Sequence, residues 1–201
     1  MNTVAGPDGR PRCGWCAAAP EFFAYHDEEW GFPVADDLRL FEKLCLESFQ
    51  SGLSWRTILA KRENFRAAFH DFDYERVANF DERDAARLLQ DAGIVRHRGK
   101  IEAVINNARR TLELIRQEGS LARFVWRHEP DPAARLEPRT ASISTESVAL
   151  SKELKKRGWK FVGPTTVYAF MQAMGLVNDH AVGCVMRDEI ARARRDFERP
   201  R

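Results

Sequence analysis

LKKRGWKFVGPTTVYAFMQAMG, residues 154 to 175, decides the fold of this chain. A basic run ends at Gly158, a short apolar hairpin displays Phe161 and Val162, and Gly163 precedes a new apolar-periodic run from Thr165. Glycine just past a helix end takes the turn that satisfies the last carbonyls, and the first amides of the next helix have no intrahelical partner. Two helices joined in this way, over about 150–175, have the layout of a helix-hairpin-helix. That motif grips a DNA phosphate with turn amides and the positive end of a helix dipole. Lys160, Gly163 and Thr165 are then the candidate DNA contacts. An ordinary helical hairpin also needs a glycine, so the stretch alone leaves a packing role and a DNA-binding role open.

Working outward, the pattern stays helical. In LRLFEKLCLESFQSG, from residue 38, Leu38, Phe41, Leu44, Cys45 and Phe49 recur at helical spacing, Asp36 or Asp37 can cap the start, and Gly52 closes the end. Ser54 restarts a helix, WRTILAKRENFRAAF. Further helices are expected at about Tyr74 to Ala78, Glu82 to Ala92, His97 to Glu118, Leu121 to Trp126, Glu146 to Arg157 and Thr165 to Met174, with Asp73, Asp81 and Ser120 as caps. His128 to Ser142, with Pro130, Pro132 and Pro138, reads as a loop. No period-2 strand pattern of useful length and no solenoid repeat occurs, so the expected fold class is all-α. The expected division is a flexible extension over 1–11, a single helical domain over 12–186 and a basic tail over 187–201, either a frayed helix or disordered.

With 201 residues, 44% of them hydrophobic, the chain can bury one respectable core. No apolar run approaches a bilayer span, and the start, MNTVAGPDGRPR, has no signal-like apolar region, so no membrane partner and a cytoplasmic location are expected. Four cysteines are too few for a disulfide scaffold in a chain of this length. Metal binding or burial is the alternative, and Cys45, inside an apolar run, reads as a core thiol. The 32 basic and 30 acidic residues nearly cancel, but Arg96, Arg98, Lys100, Arg109 and Arg110 form one basic run and Lys152, Lys155, Lys156, Arg157 and Lys160 another. Each adjoins a glycine turn, which suits phosphate groups, although a solvated helix face explains either run alone.

Near the end of the chain, His180 and Cys184 stand four residues apart, a spacing that puts both on one face if the segment is helical. Cys13 and His26 near the start complete a Cys2His2 set that would hold one structural zinc and clasp the two ends together. Cys16 forms Cys13-Gly-Trp-Cys16, itself a good zinc half-site, and is the rival to His26.

The segment CLESFQSGLSW carries the third signal. Glu47 sits among Leu44, Cys45 and Phe49, and a carboxylate in such company is hydrogen-bonded, functional or turned outward. Trp55, Tyr25, Trp15 and Trp30 are aromatics that either join the core or wall a pocket for a flat ring.

RCGW at 12–15, AYHDEEWG at 24–31, FEKLCLESFQSGLSW at 41–55, KRENFRAAF at 61–69, DAGIVRHRGKI at 91–101, LSKELKKRGWKFVGPTTVYAFMQAMGLVNDH at 150–180 and VGC at 182–184 together resemble the 3-methyladenine DNA glycosylase I family. The resemblance runs in order from Cys13 to Cys184. It implies a helix-hairpin-helix glycosylase fold with one structural zinc on Cys13, His26, His180 and Cys184. It also implies a base-excision repair enzyme that removes 3-methyladenine from alkylated double-stranded DNA and releases the free base, and a monomer is expected. Glu47 would hydrogen-bond the adenine edge as the catalytic residue, with Tyr25, Trp55 and Phe22 around the base, and Gly52 and Leu53 would fill the gap left in the duplex.

Three departures accompany the resemblance. Phe22 stands where a well-known member has tyrosine, Phe49 where glutamine is common, and Asn178 occupies the place of the aspartate in the V-D-x-H sequence of many related glycosylases. A neutral amide cannot stabilise a sugar cation, but methylation at N3 makes the adenine cationic and already a good leaving group. Base flipping, stacking and the Glu47 carboxylate can then supply the catalysis. Two rivals belong to other classes. A zinc-stabilised DNA-binding module without activity would not need Glu47, and a metal-dependent hydrolase would need an open metal position, which four protein ligands do not leave.

Overall fold

The computed structural model describes residues 2–131, 138 and 141–200, and most of the Pro132–Pro138 part of the expected loop lies outside them. Among the described residues the chain forms helices α1 (Glu21–Glu28), α2 (Asp37–Gln50), α3 (Trp55–Ala60), α4 (Arg62–Ala68), α5 (Tyr74–Val77), α6 (Glu82–Gln90), α7 (Arg98–Glu118), α8 (Leu121–Trp126), α9 (Thr145–Lys156), α10 (Pro164–Ala173) and α11 (Met186–Asp196). None of them is long and apolar enough to cross a membrane.

Local chemistry sets most of the boundaries. Side-chain oxygens of Asp36, Ser54, Asp73, Asp81 and Ser120 accept first-turn amides of α2, α3, α5, α6 and α8. Asp37 serves a different helix: its carboxylate accepts from the Leu121 and Ala122 amides at 3.0 and 2.8 Å, closing the start of α8. The expected helix from Trp55 to Phe69 breaks at Lys61 into α3 and α4.

Helix α2 runs through the centre, and its second half is buried on every side, from Lys43 to Phe49. It packs against α3, α7, α8 and α10. Phe49 meets Phe65 and Phe69 at ring distances of 4.6 and 6.0 Å, and burying each such ring contributes about 1.5–3 kcal/mol. Leu38 is exposed, contrary to its place in the apolar period, while Leu40 in the same turn is buried.

Segments outside the periodic pattern also fold. Thr3–Ala5 pairs antiparallel with Pro11–Cys13, so part of the expected flexible extension is a small hairpin. Its anchor is the buried Arg12, which donates to Asp27 at 2.9–3.0 Å and to Asp8 at 3.0–3.1 Å. Much of the C-terminal tail is helical as α11, with Arg194 and Arg199 paired to Glu129 at 2.7 and 2.9 Å.

Candidate functional site

A cavity of about 460 Å³ opens between α1, α2, α3 and α10, and its lining includes Phe22, Tyr25, Glu47, Gln50, Trp55 and Gln172. Trp15 and Trp30 complete its aromatic walls. The capped turn at Ser54 starts α3 so that Trp55 faces Tyr25, with ring centroids 5.3 Å apart. Glu47, only 5% exposed, has no hydrogen-bond partner among the described residues, and burial raises its carboxyl to about 7 against the pull of the Lys43 charge. The indole N–H of Trp55 is likewise buried and unpartnered. An aromatic slot with one unsatisfied acceptor suits a flat, polar-edged ring.

Sequence reasoning missed three residues here. Lys43 lies one helical turn before Glu47 on the same face of α2. Its ammonium donates to the Tyr25 hydroxyl at 3.1 Å and lies 4.6 and 4.8 Å from the ring centres of Tyr25 and Trp55. Nothing in the helical period marks a lysine there as buried. Gln50 and Gln172 also line the cavity. Phe49, one of the departures in the family pattern, turns away from the cavity into the Phe65–Phe69 cluster and removes no polar group from it.

Beside the cavity, Cys13, His26 and Cys184 bring one ligand atom each within 4.8 Å of one another, all buried. His26 Nδ1 donates to Asp27 at 2.6 Å, which leaves its Nε2 lone pair facing Cys184 Sγ at 3.5 Å. Cys184 is pulled down to about 4 by the hydrogen bond with Cys13, against the effect of burial. Cys13 is pushed well up by the same bond.

His180 and Cys184 do not share a helix. They span a turn closed by the Cys184 amide donating to the Ala181 carbonyl at 3.0 Å, with Gly183 at φ +87°. His180 falls outside the three-atom group, but its ring centroid is 4.8 Å from that of His26 and its Nε2 is buried without a partner. Asn178 fixes that ring: its side-chain oxygen accepts from His180 Nδ1 at 3.0 Å, and its amide donates to the Arg187 carbonyl at 3.0 Å. Asn178 therefore supports His180, while the buried Asp179 accepts from Tyr168 and from the cavity residue Gln172 at 2.7 and 2.9 Å. Gly31, at φ +92°, leaves room for His180, since a Cβ there would stand 2.7 Å from the ring. Cys16 is buried outside the ligand group, and burial raises its thiol to about 12. Among the described residues it is His26, and not Cys16, that stands with Cys13 and Cys184 in this group.

The hairpin between α9 and α10 turns at Gly158, φ +82°, and at Phe161, φ +56°. Phe161 is exposed, but Val162 is buried, so only one of the two apolar side chains is displayed. Ser48 and Ser151 hold the hairpin to α2 and α9 by donating to the Phe161 and Val162 carbonyls at 3.0 and 2.6 Å. Lys160 and Thr165 are exposed, and Gly163 caps α10 without a side chain. At the tip between α2 and α3, Gly52 has φ +78° and Leu53 is exposed.

Much of the first basic run has structural partners. Lys100 donates to the Phe49 and Ser51 carbonyls at 2.7 and 2.5 Å, and Arg109 to those of Ala78 and Phe80 at 2.8 Å. Arg157, in the second run, pairs with Glu118. A separate cavity of about 480 Å³ beneath α11 is lined by Arg187, Arg194, Arg195 and Arg199, but Glu129 holds two of these and the His180 carbonyl a third.

A helical scaffold carrying a buried aromatic slot, with a lone carboxylate as its acceptor, defines a protein built to take an unstacked ring. The chain belongs to the methyladenine glycosylase family, whose pattern it matches over residues 15–188. It is 55% identical over 178 residues to DNA-3-methyladenine glycosylase 1 of Escherichia coli (strain K12), covering 86% of this chain and 95% of that one. It is 45% identical over 177 residues to DNA-3-methyladenine glycosylase of Haemophilus influenzae (strain ATCC 51907 / DSM 11121 / KW20 / Rd), covering 86% and 96%. A solved tyrosine-to-phenylalanine variant of 3-methyladenine DNA glycosylase I in complex with 3-methyladenine superposes with a TM-score of 0.82 at 37% identity, over 88% of this chain and 97% of that one.

Proposed function

We propose that this chain is a monofunctional DNA glycosylase that hydrolyses the N-glycosidic bond of 3-methyladenine in alkylated double-stranded DNA, acting as a monomer in the cytoplasm. The observation that carries the reading is Glu47, a buried carboxylate without a hydrogen-bond partner among the described residues, facing an aromatic cavity. Such a group is costly to the fold unless a ligand satisfies it. A base made cationic by N3-methylation does so better than neutral adenine, in charge and in hydrogen bonding.

The flipped base enters between Tyr25, Trp55 and Phe22, and Glu47 meets its polar edge. The C1′–N9 bond breaks with its electron pair moving onto the base, which leaves as neutral 3-methyladenine. Water adds to C1′ and releases a proton to solvent. No lysine Schiff base or strand cleavage is involved. Gly52 and Leu53 occupy the gap in the duplex. Lys160, Gly163 and Thr165 hold a backbone phosphate at the N-terminal end of α10, in the manner of a helix-hairpin-helix.

One structural zinc belongs to Cys13, His26, His180 and Cys184. The donor set supports it: both imidazoles are held through Nδ1, which leaves each Nε2 available to a metal, and the His180 Nε2 otherwise has no partner. Zinc supplies cross-linking there and takes no part in the chemistry.

The test is release of free bases from methylated duplex DNA. The native chain is expected to release 3-methyladenine and little 7-methylguanine. Glu47→Gln is expected to slow release about 10- to 100-fold, the loss of one charge-assisted hydrogen bond worth about 1.5–3 kcal/mol. Release at the native rate by the variant would remove Glu47 from the mechanism. Absence of release by both proteins, with DNA binding intact, would favour a binding module without activity.

A further inference from the structure

Lys43 sits behind the base cavity, and the recognition scheme above does not use it. It is only 5% exposed yet is absent from the cavity lining, so it cannot reach a base directly. Its ammonium donates to the Tyr25 hydroxyl at 3.1 Å and sits against the ring faces of Tyr25 and Trp55 at 4.6 and 4.8 Å. Lys43 also precedes Glu47 by one turn on the same helix face, the arrangement in which two side chains interact most directly.

We propose that Lys43 is a positioning residue for base selection: from behind the two aromatic walls, its buried ammonium holds Glu47 as a carboxylate and makes the Tyr25 hydroxyl a donor. The inference rests on the reading of Glu47 given above. An ammonium has three donors and no acceptor, so the Tyr25 oxygen must accept, and the phenol proton is left for a second acceptor such as Glu47 or the base. The same charge offsets the burial that otherwise keeps the Glu47 proton in place.

Few other charges compete at this position. Glu29 follows α1, but its carboxylate is held by Arg62 of α4 at 2.6 Å. Glu42 on α2 pairs with Arg66 at 2.9 Å. The Lys100 ammonium of α7 is held by the carbonyls at the end of α2. Helices α3 and α10 contribute Trp55, Ala169 and Gln172 to the cavity, all uncharged.

The pH profile of 3-methyladenine release under single-turnover conditions tests this in the native chain, Lys43→Met, Lys43→Arg and Glu47→Gln. Methionine matches the length of the lysine stem without the charge, and arginine restores the charge. Lys43→Met is expected to shift the acid limb up by about one to two pH units, as loss of a unit charge one helical turn away predicts. Below that limb, release should fall about tenfold per unit. Lys43→Arg should return the limb towards the native position, which a purely structural role would not require.

An unshifted limb in a folded Lys43→Met protein would overturn the proposal, provided Glu47→Gln abolishes the limb. A limb that survives in Glu47→Gln would overturn both this proposal and the Glu47 reading beneath it. If Lys43→Met does not fold, a limb in Lys43→Arg that matches the native one supports the proposal, and one displaced by a unit or more counts against it.

Discussion

Glu47 and Lys43 place two buried ionisable groups one turn apart on the same face of α2, and burying charge rarely adds stability. Burial raises Glu47 to about 7, so the folded state binds a proton that the unfolded state releases near 4.5, and this site loses stability as pH rises between those values. Burial lowers Lys43 to about 8, so its contribution improves as pH rises from there towards 10.5. At neutral pH the Lys43→Met/Glu47→Leu double variant, which replaces both charges by apolar side chains of similar volume, is expected to be about 1–4 kcal/mol more stable than the native chain while losing base release, as read by urea unfolding. Lower stability in the double variant would mean that the pair helps to hold the fold. Glu47 was legible in the sequence because a carboxylate interrupts an apolar period. Lys43 was not, because a lysine on an amphipathic helix ordinarily marks the solvent face, and only the packing of α1 and α3 over that face buries it.

Helix α10 links two parts of the proposed mechanism, since its first turn follows the hairpin and its later residues Ala169 and Gln172 line the base cavity. The exposed Lys160 just before it is expected to act on DNA through charge alone. Lys160→Ala should weaken binding to methylated and unmethylated duplexes alike and lower the slope of log affinity against log salt by about 1. A sequence-selective loss would instead point to a base contact. Gly52 at φ +78° is a second sensitive point: Gly52→Val forces a β-branched residue into left-handed backbone, expected to cost about 1–2 kcal/mol in a chemical-denaturation measurement. Helices with their own caps and apolar period were legible from the sequence, among them α2, α6 and α7. Segment α1 was not, because its eight residues carry cavity and metal-site side chains on the face where a core stripe would otherwise show. The hairpin over Thr3–Ala5 and Pro11–Cys13 has strands of three residues each, too short to show a period.

At the scale of the whole molecule, Cys13 and His26 come from the first 26 residues and His180 and Cys184 from the last 22, so the proposed zinc closes nearly the full chain into one loop. Metal analysis is expected to find one zinc per chain. Its removal by a chelator should lower the Tm by roughly 6–12 °C, if the clasp contributes about 3 kcal/mol at the 2–4 °C per kcal/mol usual for this size. A Tm unchanged on chelation would set the clasp aside. Residue chemistry and spacing by themselves determined the helical class, most of the caps, the glycine turn between α9 and α10 and the four candidate ligands, because each depends on neighbours a few residues apart or on a side chain's own chemistry. The tertiary structure alone decided that Cys16 stays outside the Cys13–His26–Cys184 group and Phe49 outside the base cavity, that His180 stands beside that group on a turn, and that Lys43 lies buried behind Tyr25 and Trp55. Those outcomes depend on which distant helix covers each face, and the local period of a sequence carries no record of that.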